Sequence, residues 1–279
     1  MSWLSVAKKD FIDSRRSKGL LGLVSLYALL LVLIVYFAGE SPRSAMTDVL
    51  RLVSVVGIFI IPLSALIVAY LSIAGERESG SIKYLLGLPN TRLDLVLGKF
   101  VGRSVVVSVG LLFAFGVAGA LGIVLLDTID FVVFAQFFLL MLFFTLTYIG
   151  IAVGLSATCA SRSRAMASSV GVFFVFNVLW LIPQISPSGI LQYVAEDKLG
   201  MSLGPEIYEF VFLVSPPYAF QRAAGLIFTE RPIYSPRYIP WEANVPFYLE
   251  ESFMFVILAM WLVVPLAIGY LSFERADLG

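Results

Sequence analysis

The sequence predicts an all-α, polytopic membrane protein with six transmembrane helices. Three observations carry that expectation. Residues of the hydrophobic set make up 59% of the chain and charged residues only 14%, against roughly 25% charged in ordinary soluble domains. Six apolar runs reach the length of about 20 residues that a helix needs to cross the bilayer core. Inside those six runs there is no Asp, Glu, Lys, Arg or His.

The runs are residues 20–38, 52–74, 104–126, 133–158, 166–185 and 252–272. The first follows a basic stretch, Lys8 to Lys18, and so has the layout of a signal peptide. Its core is too long for one, and no small-x-small cleavage pattern follows "VYFAGES", so it reads as an uncleaved first span. In the second span Pro62, and near the end of the fifth Pro183, are expected to kink or end their helices. Gly150 with Gly154, and Gly116 with Gly119 and Gly122, have the spacing of close helix packing.

Lys and Arg distribute unevenly over the connections. Lys8, Lys9, Arg15, Arg16, Lys18, Arg77, Lys83, Arg92, Lys99, Arg103, Arg162, Arg164 and Arg275 fall on one side. Only Arg43, Arg51, Lys198, Arg222, Arg231 and Arg237 fall on the other. The positive-inside rule then places both termini in the cytoplasm and the long segment 186–250 outside.

Several functions lack their chemistry here. The formal net charge is zero, so there is no bulk field for nucleic acid. The chain has no histidine and one cysteine, Cys159, so neither an intrachain disulfide nor a Cys/His metal site is expected. The uncharged spans hold no ionisable relay of the kind a proton-coupled carrier uses. They also hold no nucleophile with its base, nor a paired carboxylate, for an intramembrane enzyme. The strongly polar residues in or at the ends of the cores are Gln136, Asn177 and Gln184. Asn177, Gln184 and the kinking Pro62 are the candidates for lining a path. Gly98-Lys99 is followed by Phe100 and lacks the upstream glycine of a phosphate-binding loop, so ATP hydrolysis by this chain is not expected.

The stretch "AGERESGSIKYLLGLPNTRLDLVLGK", residues 74–99, places seven charges between two apolar runs. Ile82, Leu85 and Leu86 form one short apolar stripe at helical spacing. Ser79 or Ser81 is placed to cap that helix and Gly87 to end it. Leu88-Pro89 breaks the chain. Thr91 with Asp94 forms an approximate capping box for a second helix, whose stripe of Leu93, Val96, Leu97, Phe100 and Val101 runs into the third span. A plain connection needs only a few polar residues. This one buries leucines and presents Glu76, Arg77, Glu78, Lys83 and Arg92, which marks it as a docking element for a cytoplasmic partner, with a helix pair lying on the headgroups as the bland alternative.

Residues 76–99 resemble the cytoplasmic segment of ABC type-2 exporter permeases, with Glu76, Glu78, Gly80, Leu85-Leu86, Leu88-Pro89, Arg92 and Gly98-Lys99 at the family's positions. The nearest flavour is the subgroup that contains the permease of the nitrous-oxide-reductase maturation transporter. The resemblance covers nearly the whole chain, as one permease domain over residues 1–279. It implies that residues 76–99 are the coupling segment seated on an ATPase subunit, with Glu76, Arg77, Glu78, Gly80, Lys83, Leu85, Leu86, Pro89, Arg92 and Lys99 taking part. It implies an interfacial elbow helix over 2–18, with Trp3, Leu4, Ala7, Phe11 and Ile12 on its apolar side and Lys8, Lys9, Arg15 and Arg16 on its basic one. It implies two copies of the permease (or one with a paralogue) and two ATPases carrying ATP-Mg, with no cofactor in this chain, in the plasma membrane.

Within 186–250, the apolar stretch 206–228 is broken by Pro216-Pro217 and is not one spanning helix. The resemblance implies a re-entrant helical hairpin there; the bland alternative is a small external cap. Residues 232–246 read as extended loop, a candidate contact for an extracytoplasmic partner. The function expected is therefore a permease subunit, without catalytic residues, of an ATP-driven exporter. A stand-alone channel or facilitator is the alternative.

Overall fold

The computed structural model describes residues 3–15, 18–40, 44–86, 90–228, 233–239 and 244–277. Among the described residues the chain's regular structure is helical, with no strand and one isolated parallel bridge between Ala45 and Thr128. Six of its helices are long and apolar enough to cross a membrane. It divides into two compact units, residues 1–170 with 261–279, and residues 171–260.

The first unit opens with α1 (Trp3–Arg15) and α2 (Lys18–Gly39). Then come α3 (Met46–Ala69), the short α4 (Ala74–Glu78) and α5 (Ile82–Leu86), α6 (Arg92–Leu125) and α7 (Phe131–Thr158). α8 (Arg162–Asn177) starts in this unit, and α12 (Met254–Glu274) ends in it. α2 packs on α6, α3 and α6 on α7, and α1 on α6. The core is apolar: Leu31 and Val35 from α2, Ile58 and Ala65 from α3, Val107 and Leu111 from α6, Phe144 and Ile151 from α7. Phe115 anchors an aromatic cluster, with ring centroids 5.6, 6.2 and 5.3 Å from Phe134, Phe137 and Phe138.

The third long helix starts at Arg92, twelve residues before the apolar run at 104. Its start is fixed by chemistry: Thr91 Oγ1 accepts from Asp94 N at 3.0 Å, and Asp94 Oδ2 accepts from Thr91 N at 3.0 Å, the capping box expected. At about 1.5 Å per residue, its 34 residues span about 51 Å, well beyond a hydrocarbon core of about 30 Å. The excess falls to its charged first turns, with Arg92, Asp94, Lys99 and Arg103, ahead of the uncharged run at 104.

Two glycine pairs allow backbones to touch. A Cβ on Gly98 would lie 2.6 Å from Val6 Cβ and 2.9 Å from Trp3 O, and one on Gly102 would lie 2.9 Å from Asp10. This notch receives α1. Gly150 and Gly154 face α12, where a Cβ on Gly154 would meet Pro265 O at 2.2 Å. Of the other spaced glycines, Gly116 meets nothing within 4 Å.

The second unit holds α9 (Pro187–Gln192), a π-helical turn over Tyr193–Lys198, α10 (Pro205–Leu213) and α11 (Pro216–Ala223). Pro216 and Pro217 occupy the first positions of α11, where a missing N–H costs nothing. Trp180 Nε1 donates to Phe212 O at 3.0 Å, using an orphan carbonyl at the end of α10. The buried Glu209 accepts from the Tyr234 hydroxyl and from the N–H groups of Arg237 and Tyr238, at 3.0 and 2.8 Å for the latter two. Part of the expected 232–246 loop, residues 240–243 and Pro232, lies outside the described residues.

Candidate functional site

The charged connection from α4 to the start of α6 reaches the ends of three other helices, α7, α8 and α12. α4 begins beneath α7, whose buried Ser156 Oγ accepts from Ile73 N and Ala74 N at 3.0 Å each. A hydroxyl from another helix thus satisfies the orphan donors of a five-residue helix. Arg77 Nη1 donates back to Ala157 O at 3.4 Å and Cys159 O at 3.2 Å, at the end of α7. Glu78 accepts from Arg162 N at 2.5 Å, in the first turn of α8. Arg92 Nη1 donates to Phe273 O, and to Glu274 O and Ala276 O at 2.8 Å each, where α12 ends. Each charge has the sign that the helix end prefers: cations at carbonyl ends, an acid at an amide end. Arg92 and Arg77 also stand over the buried Phe273 ring, at 5.3 and 5.9 Å.

A buried ion cluster ties α1 to this connection. Lys99 Nζ lies 2.8 Å from Asp10 Oδ1 and 2.5 Å from Glu76 Oε1. Arg103 Nη2 donates to Asp10 Oδ1 at 3.2 Å, and its Nε lies 2.9 Å from Asp10 Oδ2, an ion pair without hydrogen-bond alignment. Arg103 Nη1 reaches Val68 O at 3.0 Å, near the end of α3. Two acids and two cations balance, which is what permits the burial of Asp10 and Lys99, with Glu76 and Arg103 half-buried at the edge. Asp94 Oδ1 adds a bond from Trp3 N at 3.1 Å, holding the start of α1.

The fate of each expected coupling residue follows. Glu76, Arg77, Glu78, Arg92 and Lys99 each bond to another helix or its end; Lys99 is buried, Glu76, Arg77 and Arg92 are half-buried, and Glu78 stays exposed. Gly80 sits at φ +73°, a left-handed turn that suits a residue without Cβ. The hydroxyls of Ser79 and Ser81, expected to cap α5, donate to Glu76 O at 3.3 and 3.4 Å and so close α4. Lys83 is exposed, beside Tyr84, which is 84% exposed. The side chains of Leu85 and Leu86, and all of Gly87, Leu88 and Pro89, lie outside the described residues.

The stripe expected on α6 is split: Val96 is buried and Phe100 and Val101 are half-buried, whereas Leu93 and Leu97 are exposed, and Leu95, Gly98, Lys99 and Gly102 are buried as well. The inner face of these turns carries Leu95 and Val96 beside the glycines that seat α1 and the paired Lys99. Residues missed in the sequence are Asp10, Arg103, Ser156 and Phe273. Asp10 alone carried a signal, an acid three residues from the apolar-side Ala7.

The path candidates are placed separately. Pro62 is buried within α3 of the first unit. In the second unit, Asn177 is 2% exposed and its Nδ2 donates to Phe173 O at 3.1 Å. The exposed Gln184 opens on a recess of about 330 Å³ that also includes Gln192, Glu196 and Asp197.

Six long apolar helices, with a charged connection keyed to the ends of the others, define a multi-pass α-helical membrane protein. The chain matches the ABC-2 family transporter protein family over residues 4–278 and belongs to it. Membership implies partnership with an ATP-binding-cassette ATPase subunit. Two relatives are each named "Probable ABC transporter permease protein NosY". That of Pseudomonas aeruginosa is 25% identical over 288 residues, and that of Stutzerimonas stutzeri 25% identical over 279; 97% of each chain is covered in both cases.

Proposed function

We propose that this chain is the membrane-spanning subunit of an ABC exporter, driven by a separate ATPase that carries ATP-Mg. The working unit is two copies of this chain with two ATPases in the plasma membrane, both termini of each chain cytoplasmic. This chain contributes no catalytic residue.

The observation that carries the reading is the connection from α4 to the start of α6. Its charges hold the ends of α7, α8 and α12, so force applied there reaches helices remote in sequence. Closure of the ATPase pair pushes residues 76–99 and rocks the two permeases, opening a central path outward. α1 lies as an elbow at the membrane surface and moves with α6 through Asp10 and Lys99. Asn177, Gln184 and Pro62 are assigned to the path.

Co-purification tests this. The tagged chain, gently solubilised from its host and crosslinked, should bring down a P-loop ATPase at near-equal amount, identified by mass spectrometry. Recovery of the chain alone, with ATP-independent flux in liposomes, would mean a stand-alone channel.

A further inference from the structure

The charged connection has two sides that touch different things. On one, Arg77, Glu78 and Arg92 are engaged with backbone groups at the ends of α7, α8 and α12. A partner protein could not take these side chains without uncapping three helices. On the other is α5, a single turn pinned by the buried Ile82 (2% exposed) and presenting Lys83 and Tyr84 outward. A tyrosine 84% exposed is a large side chain that this chain itself leaves uncovered, and Tyr is favoured as an interface anchor.

We propose that the segment divides its work: Tyr84, with Lys83 beside it, is the anchor that the ATPase grips, whereas the half-buried Arg77 and Arg92 are positioning residues that pass the motion on without touching the ATPase. This rests on the motor-driven reading above and deepens it. The occupant follows from position and chemistry. α5 lies on the same charged connection as the first turns of α6, which precede the apolar run at 104 and carry Arg92, Asp94, Lys99 and Arg103. Family membership supplies an ATPase as the partner. A phenol ring next to an ammonium group fits an apolar pocket with a carboxylate at its rim.

The separation predicts opposite behaviour for two variants of the full chain, co-expressed with its ATPase. Tyr84→Ala should lose ATPase capture at least tenfold, with an unchanged unfolding temperature. Arg92→Gln should capture the ATPase at the wild-type level. In the wild-type complex, trapping with ATP and vanadate should alter hydrogen exchange of residues 270–277; in Arg92→Gln that response should be lost. Arg92→Lys, which keeps the charge but not the planar fork, serves if Arg92→Gln does not fold, and should likewise retain capture and lose the response. Wild-type capture by Tyr84→Ala overturns the proposal. So does weakened binding of Tyr84→Ala to phosphatidylglycerol vesicles with capture intact, which would assign Tyr84 to headgroups. Loss of capture in a well-folded Arg92 variant also overturns it. If the wild-type chain captures no ATPase, the motor-driven reading itself fails, and this division with it.

Discussion

Asp10 and Glu209 are both buried carboxylates, 3% and 1% exposed, and the two units hold them in opposite ways. Asp10, in the first unit, is met by the cations Lys99 and Arg103, with Glu76 completing the balance. Glu209, in the second, is met by a phenol and two backbone N–H groups. The guanidinium of Arg237 lies instead 4.4 Å over the Phe212 ring, while its N–H serves the carboxylate. The difference teaches what each group is for. Ion pairs between α1, α4 and α6 join helices that are already formed. Neutral donors on consecutive residues shape a loop that has no regular structure of its own.

The largest effect should come from breaking the charge balance. Asp10→Ala leaves Lys99 with Glu76 alone and Arg103 with no carboxylate, only Val68 O, and removing one partner of a buried pair costs about 3–5 kcal/mol. Denaturant unfolding of the purified chain in detergent measures this, and Asp10→Ala with Lys99→Met should lose less than the two single changes summed. A loss below about 1 kcal/mol, the range of surface pairs, would remove the contrast with Glu209.

A smaller loss is expected for Glu209→Ala, about 1–3 kcal/mol for buried donors left without their acceptor. It should be local. Limited proteolysis should cut residues 233–239 faster while the fragment through α7 stays as resistant as before. Uniform loosening of both units would show that Glu209 is more than a loop organiser.

The smallest effect is one of pH. The Tyr234 phenol is raised above the ordinary value near 10, first by burial and then by the charge and hydrogen bond of Glu209. A raised value means that the folded chain keeps the proton longer than the unfolded one. Its contribution is complete below pH 10 and declines as the pH climbs past the unfolded tyrosine value. Stability of the second unit should fall above pH 10, and Tyr234→Phe should flatten that slope.

Particular residues show how far the sequence can be read. Thr91 and Asp94 announced their capping box because its partners are three residues apart. Pro216 and Pro217 announced a break because proline's constraint is local. Arg77 and Arg92 announced a charged segment but not its direction, since their acceptors lie 80 or more residues away in α7 and α12. The leucines at the start of α6 misled for a physical reason: helical periodicity marks an apolar face, and which residues are buried, Leu95 and Val96 but not Leu93 or Leu97, depends on where α1 packs.

By itself the sequence determined the class of this protein, its six spans and its charged connection, because length, hydropathy and capping are properties of neighbouring residues. The tertiary structure alone decided that the connection grips the ends of α7, α8 and α12, that Gly98 and Gly102 form the seat of α1, and that Tyr84 is left in the open. Those outcomes depend on which helices become neighbours in space, and close packing of distant segments leaves no fixed spacing along the chain.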